Sequence, residues 1–347
     1  MSSSGTHPSP RDLLVRLIRR EDLSRDDTEH LFGLLMDGEI GEITTAALLT
    51  ALAAKGESAE EIAGAAVAMR RRLVSIPTRQ PDVVDTCGTG GDGKGTFNIS
   101  TAAAIVAAAA GVPVAKHGNR SVSSKSGSAD VLEALGVEIE MDPIRAGLAL
   151  DQVGIAFLFA PRLHPAMRQV APVRRELGVR TIFNILGPLS NPAAARRQVL
   201  GVYDDRLVPL LAEVLAQLGC DHSLVVRGAD GLDELTTTDS TLVAEVQGQQ
   251  IRHYEVDAQE MGIARARPED LLGGDPRRNA ELLLEVLGGV AGPLLDISVL
   301  NAGAAIYVAG LRPSLPLGVE LARQAVGSGA ARTKLDEMRS LRASEER

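Results

Sequence analysis

The stretch Asp85-Thr-Cys-Gly-Thr-Gly-Gly-Asp-Gly-Lys-Gly-Thr-Phe-Asn-Ile-Ser-Thr101 follows the apolar pair Val83-Val84 and precedes an alanine-rich run, Ala102 to Ala110, that stops at Gly111. The pattern predicts a buried strand, a glycine loop and a helix start. Glycines at 88, 90, 91, 93 and 95 permit positive φ and close approach of backbone to a ligand. The helix start offers unpaired N–H groups and the positive end of a dipole. Asn98, Ser100 and Thr101 add polar atoms there. Such a loop suits a polyanion, above all a phosphate or pyrophosphate. It lacks the Gly-Lys-Ser/Thr ending of a P-loop, and its spacing is not Gly-x-Gly-x-x-Gly.

Three more polar clusters lie downstream. Lys116-His-Gly-Asn-Arg-Ser-Val-Ser-Ser-Lys-Ser-Gly-Ser-Ala-Asp130 follows a second strand, Val112-Pro-Val-Ala. Parallel sheets bind ligands beyond the carboxyl ends of their strands, so both clusters are expected to face one crevice. Lys116, Arg120 and Lys125 with five serines make a second anion site, with Ser128 at a helix start. In Pro172 to Pro192, Arg174 and Arg175 fit either a solvated helix face or bidentate capture of a carboxylate. In Gly228 to Thr238, the adjacent Asp233 and Glu234 fit either an acidic turn or hard oxygen ligands for Mg²⁺. His117 and His164 could be acid–base groups, although a structural role suits each in isolation.

The 347 residues suffice for two domains. Apolar residues make up 45%, aromatics only 2%, and Trp is absent, so Ala, Leu, Val and Ile must build the core. A net charge of −9 argues against a nucleic-acid-binding face. Cys87 and Cys220 form no metal or disulfide framework, and a reducing cytoplasm is the expectation. With no signal peptide and no long apolar run, no membrane association is expected.

Residues 10–76 are expected to form a small all-helical domain. Leu13, Leu14, Leu17 and Ile18 share one face of its first helix. The second starts near Arg25, with Leu31, Leu34 and Leu35 inward. The third carries Ile43, Ala46, Leu48, Leu49 and Leu52 inward to Gly56, and Ser58-Ala-Glu-Glu61 is a capping box opening a fourth. Residues 76–81 are the linker, and residues 1–9 and 342–347 are expected to be disordered or frayed. Alternating strands and helices follow, with strands at 155–159, 198–202 and 222–226, a late hairpin about Gly248, and four closing helices. The expected fold class is α/β, a larger domain with a mostly parallel central sheet flanked by helices.

Taken together, Gly88-Thr-Gly-Gly-Asp92, Asn98-Ile-Ser-Thr101, Lys116-His-Gly-Asn-Arg120, Ser126 to Gly136, Arg180 to Pro188 and Gly231-Leu-Asp-Glu234 resemble the anthranilate phosphoribosyltransferase family, in order and over nearly the whole chain. The resemblance implies the second step of tryptophan biosynthesis, from anthranilate and phosphoribosyl pyrophosphate (PRPP). It implies an α/β domain of residues 82–160 and 195–345, and a helical segment at 162–190 that returns to the helical domain. It also implies a homodimer through the helical domain, and two Mg²⁺ ions held by Ser100, Asp233 and Glu234. PRPP would meet Gly88, Gly91, Asp92, Thr96, Asn98, Ile99, Ser100, Thr101, Lys116, Ser121, Ser123, Ser124 and Ser128. Anthranilate would meet Gly88, His117, Asn119, Arg174 and His164, with Arg174 facing its carboxylate. No general base is expected, because the aromatic amine is neutral at pH 7. A nucleoside phosphorylase would have no use for the Asp233-Glu234 pair, and a non-catalytic nucleic-acid-binding relative should carry a basic stripe.

Overall fold

The computed structural model describes residues 7–121 and 125–343. Four helices come first: α1 (Pro10–Ile18), α2 (Arg25–Asp37), α3 (Glu42–Lys55) and α4 (Ala59–Arg70). The capping box at the start of α4 is formed, with Ser58 Oγ accepting from the Glu61 N–H and Glu61 accepting from the Ser58 N–H. Glu61 does more than cap. It is fully buried, and it accepts from the Leu23 N–H at 3.0 Å and from Lys55 Nζ at 2.9 Å, which fastens the α1–α2 and α3–α4 connections to the start of α4. The apolar stripes of α1 and α3 are narrower than the sequence suggests. Ile18 is 68% exposed and Ile43 is 89% exposed, whereas Leu13, Leu17, Leu48, Leu49 and Leu52 are buried in the core and Leu14 and Ala46 pack partly buried against it.

The strands are β1 (Val84–Gly88), β2 (Val114–Gly118), β3 (Ile155–Phe159), β4 (Arg197–Gly201), β5 (His222–Gly228), β6 (Thr241–Gln247) and β7 (Gln250–Val256). They form one sheet in the order β3-β2-β1-β4-β5-β6-β7. The first five run parallel, and the β6–β7 hairpin is antiparallel. Helices α5 (Ile99–Ala109), α6 (Ser128–Ala134) and α7 (Pro143–Val153) connect the first strands. The short α8 (Ala160–Leu163), α9 (Met167–Leu177) and short α10 (Phe183–Leu186) lie between β3 and β4, and α11 (Leu207–Gln217) joins β4 to β5. The chain closes with α12 (Pro276–Leu287), α13 (Pro293–Val308), α14 (Leu315–Gly327) and α15 (Ala330–Ala343).

Alternate strand residues serve different layers, as the pleat requires. Val199, Leu224 and Val226 share a core with α5 and α12–α15. Leu200, Val225 and Ala244 share another with α11 and the N-terminal helices. Val170 and Val173 of α9 and Phe183, Ile185 and Leu186 of α10 also belong to that second core. Phe183 packs on Phe32 of α2 with ring centroids 5.5 Å apart. The molecule is thus a small helical domain at the N-terminus with a larger α/β domain. Among the described residues, no helix is long and apolar enough to cross a membrane.

Candidate active site

Strand order reverses between β1 and β4, and the crevice outside the carboxyl ends of strands at such a point is where open α/β sheets bind ligands. Gly88 and Gly201 end these two strands side by side. A Cβ at Gly201 would lie 1.6 Å from the Asp233 carbonyl oxygen, and one at Gly88 would lie 3.2 Å from Asp233 Oδ2. The two glycines therefore let the acidic loop after β5 fold over the strand ends.

That loop is held from beneath. Asn301, buried in α13, donates to the Leu235 carbonyl at 2.8 Å and accepts the Leu235 N–H at 3.0 Å. Asp230 accepts from the Leu232 N–H and from the hydroxyls of Thr236 and Thr238. The Asp233 and Glu234 side chains are placed against the glycine loop, where Asp233 bonds to Asp92. Burial first, then the neighbouring Asp92, pushes Asp233 up to about 7. Burial and then Asp233 push Glu234 up to about 8. Burial and mutual repulsion outweigh the nearby Lys116, so the pair has less positive charge about it than two carboxylates need. Among the described residues no three His, Cys, Asp or Glu side chains make a complete cation cage. The donor set fits a hard dication whose shell is completed by substrate oxygens.

Ser100 links this acidic pair to the second cluster. It hydrogen bonds to Glu234 and accepts from Lys116 Nζ at 3.2 Å. Lys116 is buried, and its ammonium also donates to the Thr86 carbonyl at 2.6 Å. It lies beneath the crevice floor, where it neutralises Asp85 and Glu234. Asp85 is fully buried and ties β1 to β2 and to the segment before β4, accepting from the His117 N–H and from Asn191 Nδ2. Sequence reading missed Asp85, Asn191 and Asn301. A carboxyl or amide inside an otherwise apolar run was the available signal.

The remaining polar residues at the helix start divide. Asn98 makes no cap bond. It donates to the Ser126 carbonyl and accepts from Asn279, which ties the glycine loop to the second cluster. Thr101 and Ile99 are buried, and the Thr101 hydroxyl points inward. Thr96 pairs with Leu272 through the backbone. The second cluster also departs from expectation. Arg120 is engaged by Asp130 and Glu133, partners that the sequence did not suggest. Asp130 additionally accepts from the Ser121 and Gly127 N–H groups. The Ser128 hydroxyl donates to the Asn119 carbonyl, and Asn119 Oδ1 accepts from the Arg120 N–H. Ser123 and Ser124 lie outside the described residues.

On the far side of the crevice, His117 and His164 meet through their Nε2 atoms at 3.1 Å. Burial holds both well below the ordinary histidine value, His117 at about 3 and His164 at about 4. Neither is charged at neutral pH. Arg174 is partly buried at the end of α9, its guanidinium 5.5 Å over the Phe183 ring. Burial lowers its pKa. A half-desolvated guanidinium of this kind strengthens any carboxylate contact it makes.

Fold and site together define a glycosyltransferase with a helical bundle and an α/β domain. The model of the "Glycosyl transferase family, helical bundle domain" matches residues 11–73, and that of the "Glycosyl transferase family, a/b domain" matches residues 80–332. The chain is 52% identical to the anthranilate phosphoribosyltransferase of Rubrobacter xylanophilus, covering 94% of this chain and 95% of that one. It is 49% identical to that of Acetivibrio thermocellus, covering 93% and 94%. The anthranilate phosphoribosyltransferase structure from Thermus thermophilus superposes with a TM-score of 0.90 at 47% identity, covering 95% and 99%. The Saccharomyces cerevisiae enzyme in complex with PRPP and Mg superposes with a TM-score of 0.88 at 27% identity, covering 96% and 98%. The chain belongs to the anthranilate phosphoribosyltransferase family. Its reaction is transfer of a phosphoribosyl group to anthranilate in tryptophan biosynthesis, and the phosphorylase and nucleic-acid-binding readings are not favoured.

Proposed function

We propose that the crevice binds PRPP with its pyrophosphate along the glycine loop, Gly88, Gly91 and Asp92, and against the α5 start at Thr96, Asn98, Ser100 and Thr101. Ile99 supplies apolar backing. Lys116 acts from below through Ser100, and Ser121, Ser123, Ser124 and Ser128 would meet phosphate groups of the substrate. Asp233, Glu234 and Ser100 would hold two Mg²⁺ ions. Bound there, the ions supply positive charge that stabilises the departing pyrophosphate. Anthranilate would lie between Gly88, His117, Asn119 and His164, its carboxylate on Arg174.

The residues then perform three tasks. Helix and loop N–H groups orient the donor so that its anomeric carbon faces the acceptor. Fixed donors stabilise charge as it develops on the leaving group. His117 and His164, neutral and buried, exclude water and shape the aromatic slot without taking a proton at the start. No strong base is needed, because the amine already carries its lone pair.

The cytoplasm is the compartment we propose. We also propose that residues 10–76 with 162–190 act as one domain against 82–160 with 195–345, and that the helical domain forms a homodimer. The exposed Val15, Ile18 and Ile43 on α1 and α3 support that interface.

The placement of Asp233 and Glu234 against the strand ends and the glycine loop, Asp233 beside Gly88 and bonded to Asp92, and Glu234 bonded to Ser100, carries this reading. Calorimetric titration with PRPP tests it. Binding is expected with Mg²⁺ and strongly weakened in EDTA or in Asp233→Asn. Equal affinity in all three would remove the acidic pair from the site.

A further inference from the structure

Arg180 stands between the two halves of the crevice. Its Nη2 donates to the Gly91 carbonyl, and its guanidinium lies 4.0 Å from the centroid of the Tyr203 ring. Tyr203 is itself tied to the same loop, its N–H donating to Thr89 Oγ1 at 3.2 Å. A Cβ at Gly91 would sit 2.9 Å from Arg180 Nη2, and Gly91 has a φ of +85°. The left-handed φ favours glycine at that position, where the guanidinium comes close. The carbonyl held by Arg180 belongs to the peptide that carries Asp92, the residue bonded to Asp233.

The other end of Arg180 is rooted in the acceptor side. Gly178, with φ +61°, ends α9, so Arg174 and Arg180 flank one tight turn. Immediately after Arg180, the Thr181 N–H donates to Asn184 Oδ1 at 3.0 Å. Phe183 packs on Phe32 of α2 and carries the Arg174 guanidinium over its face. One planar side chain thus joins the phosphate loop to the segment that presents the carboxylate-binding arginine. Arginine suits this task because it can donate a hydrogen bond in its plane and stack through its face together.

We propose that Arg180 is a positioning residue that fastens the glycine loop to the acceptor-side segment, so that a diphosphate on the loop tightens the site for the aromatic acid. This rests on the donor and acceptor assignment above.

The test measures anthranilate binding by fluorescence in the parent, Arg180→Ala and Arg180→Lys, with and without Mg²⁺ and inorganic pyrophosphate, together with steady-state kinetics. In the parent, pyrophosphate should tighten anthranilate binding by about fivefold or more, at the low end of ordinary site coupling. In Arg180→Ala the affinity without pyrophosphate should be unchanged. The gain should vanish, and the KM for PRPP should rise about tenfold with a smaller change in kcat. Arg180→Lys keeps a donor for Gly91 but loses the planar stack, so it should recover part of the PRPP KM. If Arg180→Ala does not fold, Arg180→Lys alone must show a reduced gain. A full gain in the folded variant, no gain in the parent, or weakened anthranilate binding without pyrophosphate would each overturn the proposal. Absence of turnover in the parent would instead overturn the assignment of substrates.

Discussion

Glu234 is protonated more readily in the folded chain than in the unfolded one, because burial raises it from 4.5 to about 8. Between those values the folded state holds a proton that the unfolded state has released. Stability of the metal-free protein should therefore fall as pH rises through that window. Glu234→Gln should remove this slope, so its thermal midpoint should exceed the parent's by a margin that grows from pH 5 to pH 8. A margin that stays constant with pH would contradict the assignment. The same variant should lose about 10²-fold or more in kcat, the scale of removing one fixed electrostatic stabiliser. Arg174→Ala should raise the anthranilate KM by about 10- to 100-fold, the equivalent of a charge-assisted hydrogen bond of ~1.5–3 kcal/mol. PRPP binding should be nearly unchanged, and an unaltered anthranilate KM would remove Arg174 from the site. At this scale the sequence displayed residue types but not their partners. The Asp233-Glu234 pair was legible because two adjacent acids after a buried strand are conspicuous. The engagement of Arg120 by Asp130 and Glu133 was not, because only the fold shows how close they come. Arg180 was passed over for the same reason, since the Gly91 carbonyl it holds is 89 residues away.

Elements carry the site through a few buried polar anchors. Asn301 in α13 satisfies both backbone groups of Leu235. Asn301→Leu should leave that N–H and carbonyl unpaired, at a cost of about 1–3 kcal/mol for each. A fall in the thermal midpoint of several degrees, together with a lower kcat, is expected from calorimetry and rate measurements. A variant as stable and as active as the parent would show that the acidic loop does not depend on this anchor. Strand and helix positions were legible to within a few residues, because buried parallel strands are short apolar runs and the connecting helices carry clear stops. Asp142 at the start of α7 and Gly154 at its end are both found as caps. The single turns α8 and α10 were not separated from the helical segment expected at 162–190, since four residues give no period to read. Ile18 and Ile43 misled because helical spacing alone does not say which side of a helix is covered.

The whole molecule sets one acidic crevice at a strand-order reversal, roofed by a loop and faced by a helical domain. Its surface leaves Ile18 and Ile43 uncovered on neighbouring helices. If the proposed homodimer forms there, Ile18→Asp with Ile43→Asp should yield a folded monomer in light scattering, whereas a dimer of unchanged mass would place the interface elsewhere. The crevice is proposed to join anthranilate to the phosphoribosyl group with the help of Mg²⁺. Its most direct test follows the loss of anthranilate fluorescence with the purified protein, PRPP and Mg²⁺. Loss that requires protein, both substrates and the metal, and that stops in EDTA, is expected. No loss with folded protein, or loss undiminished in EDTA, would contradict it.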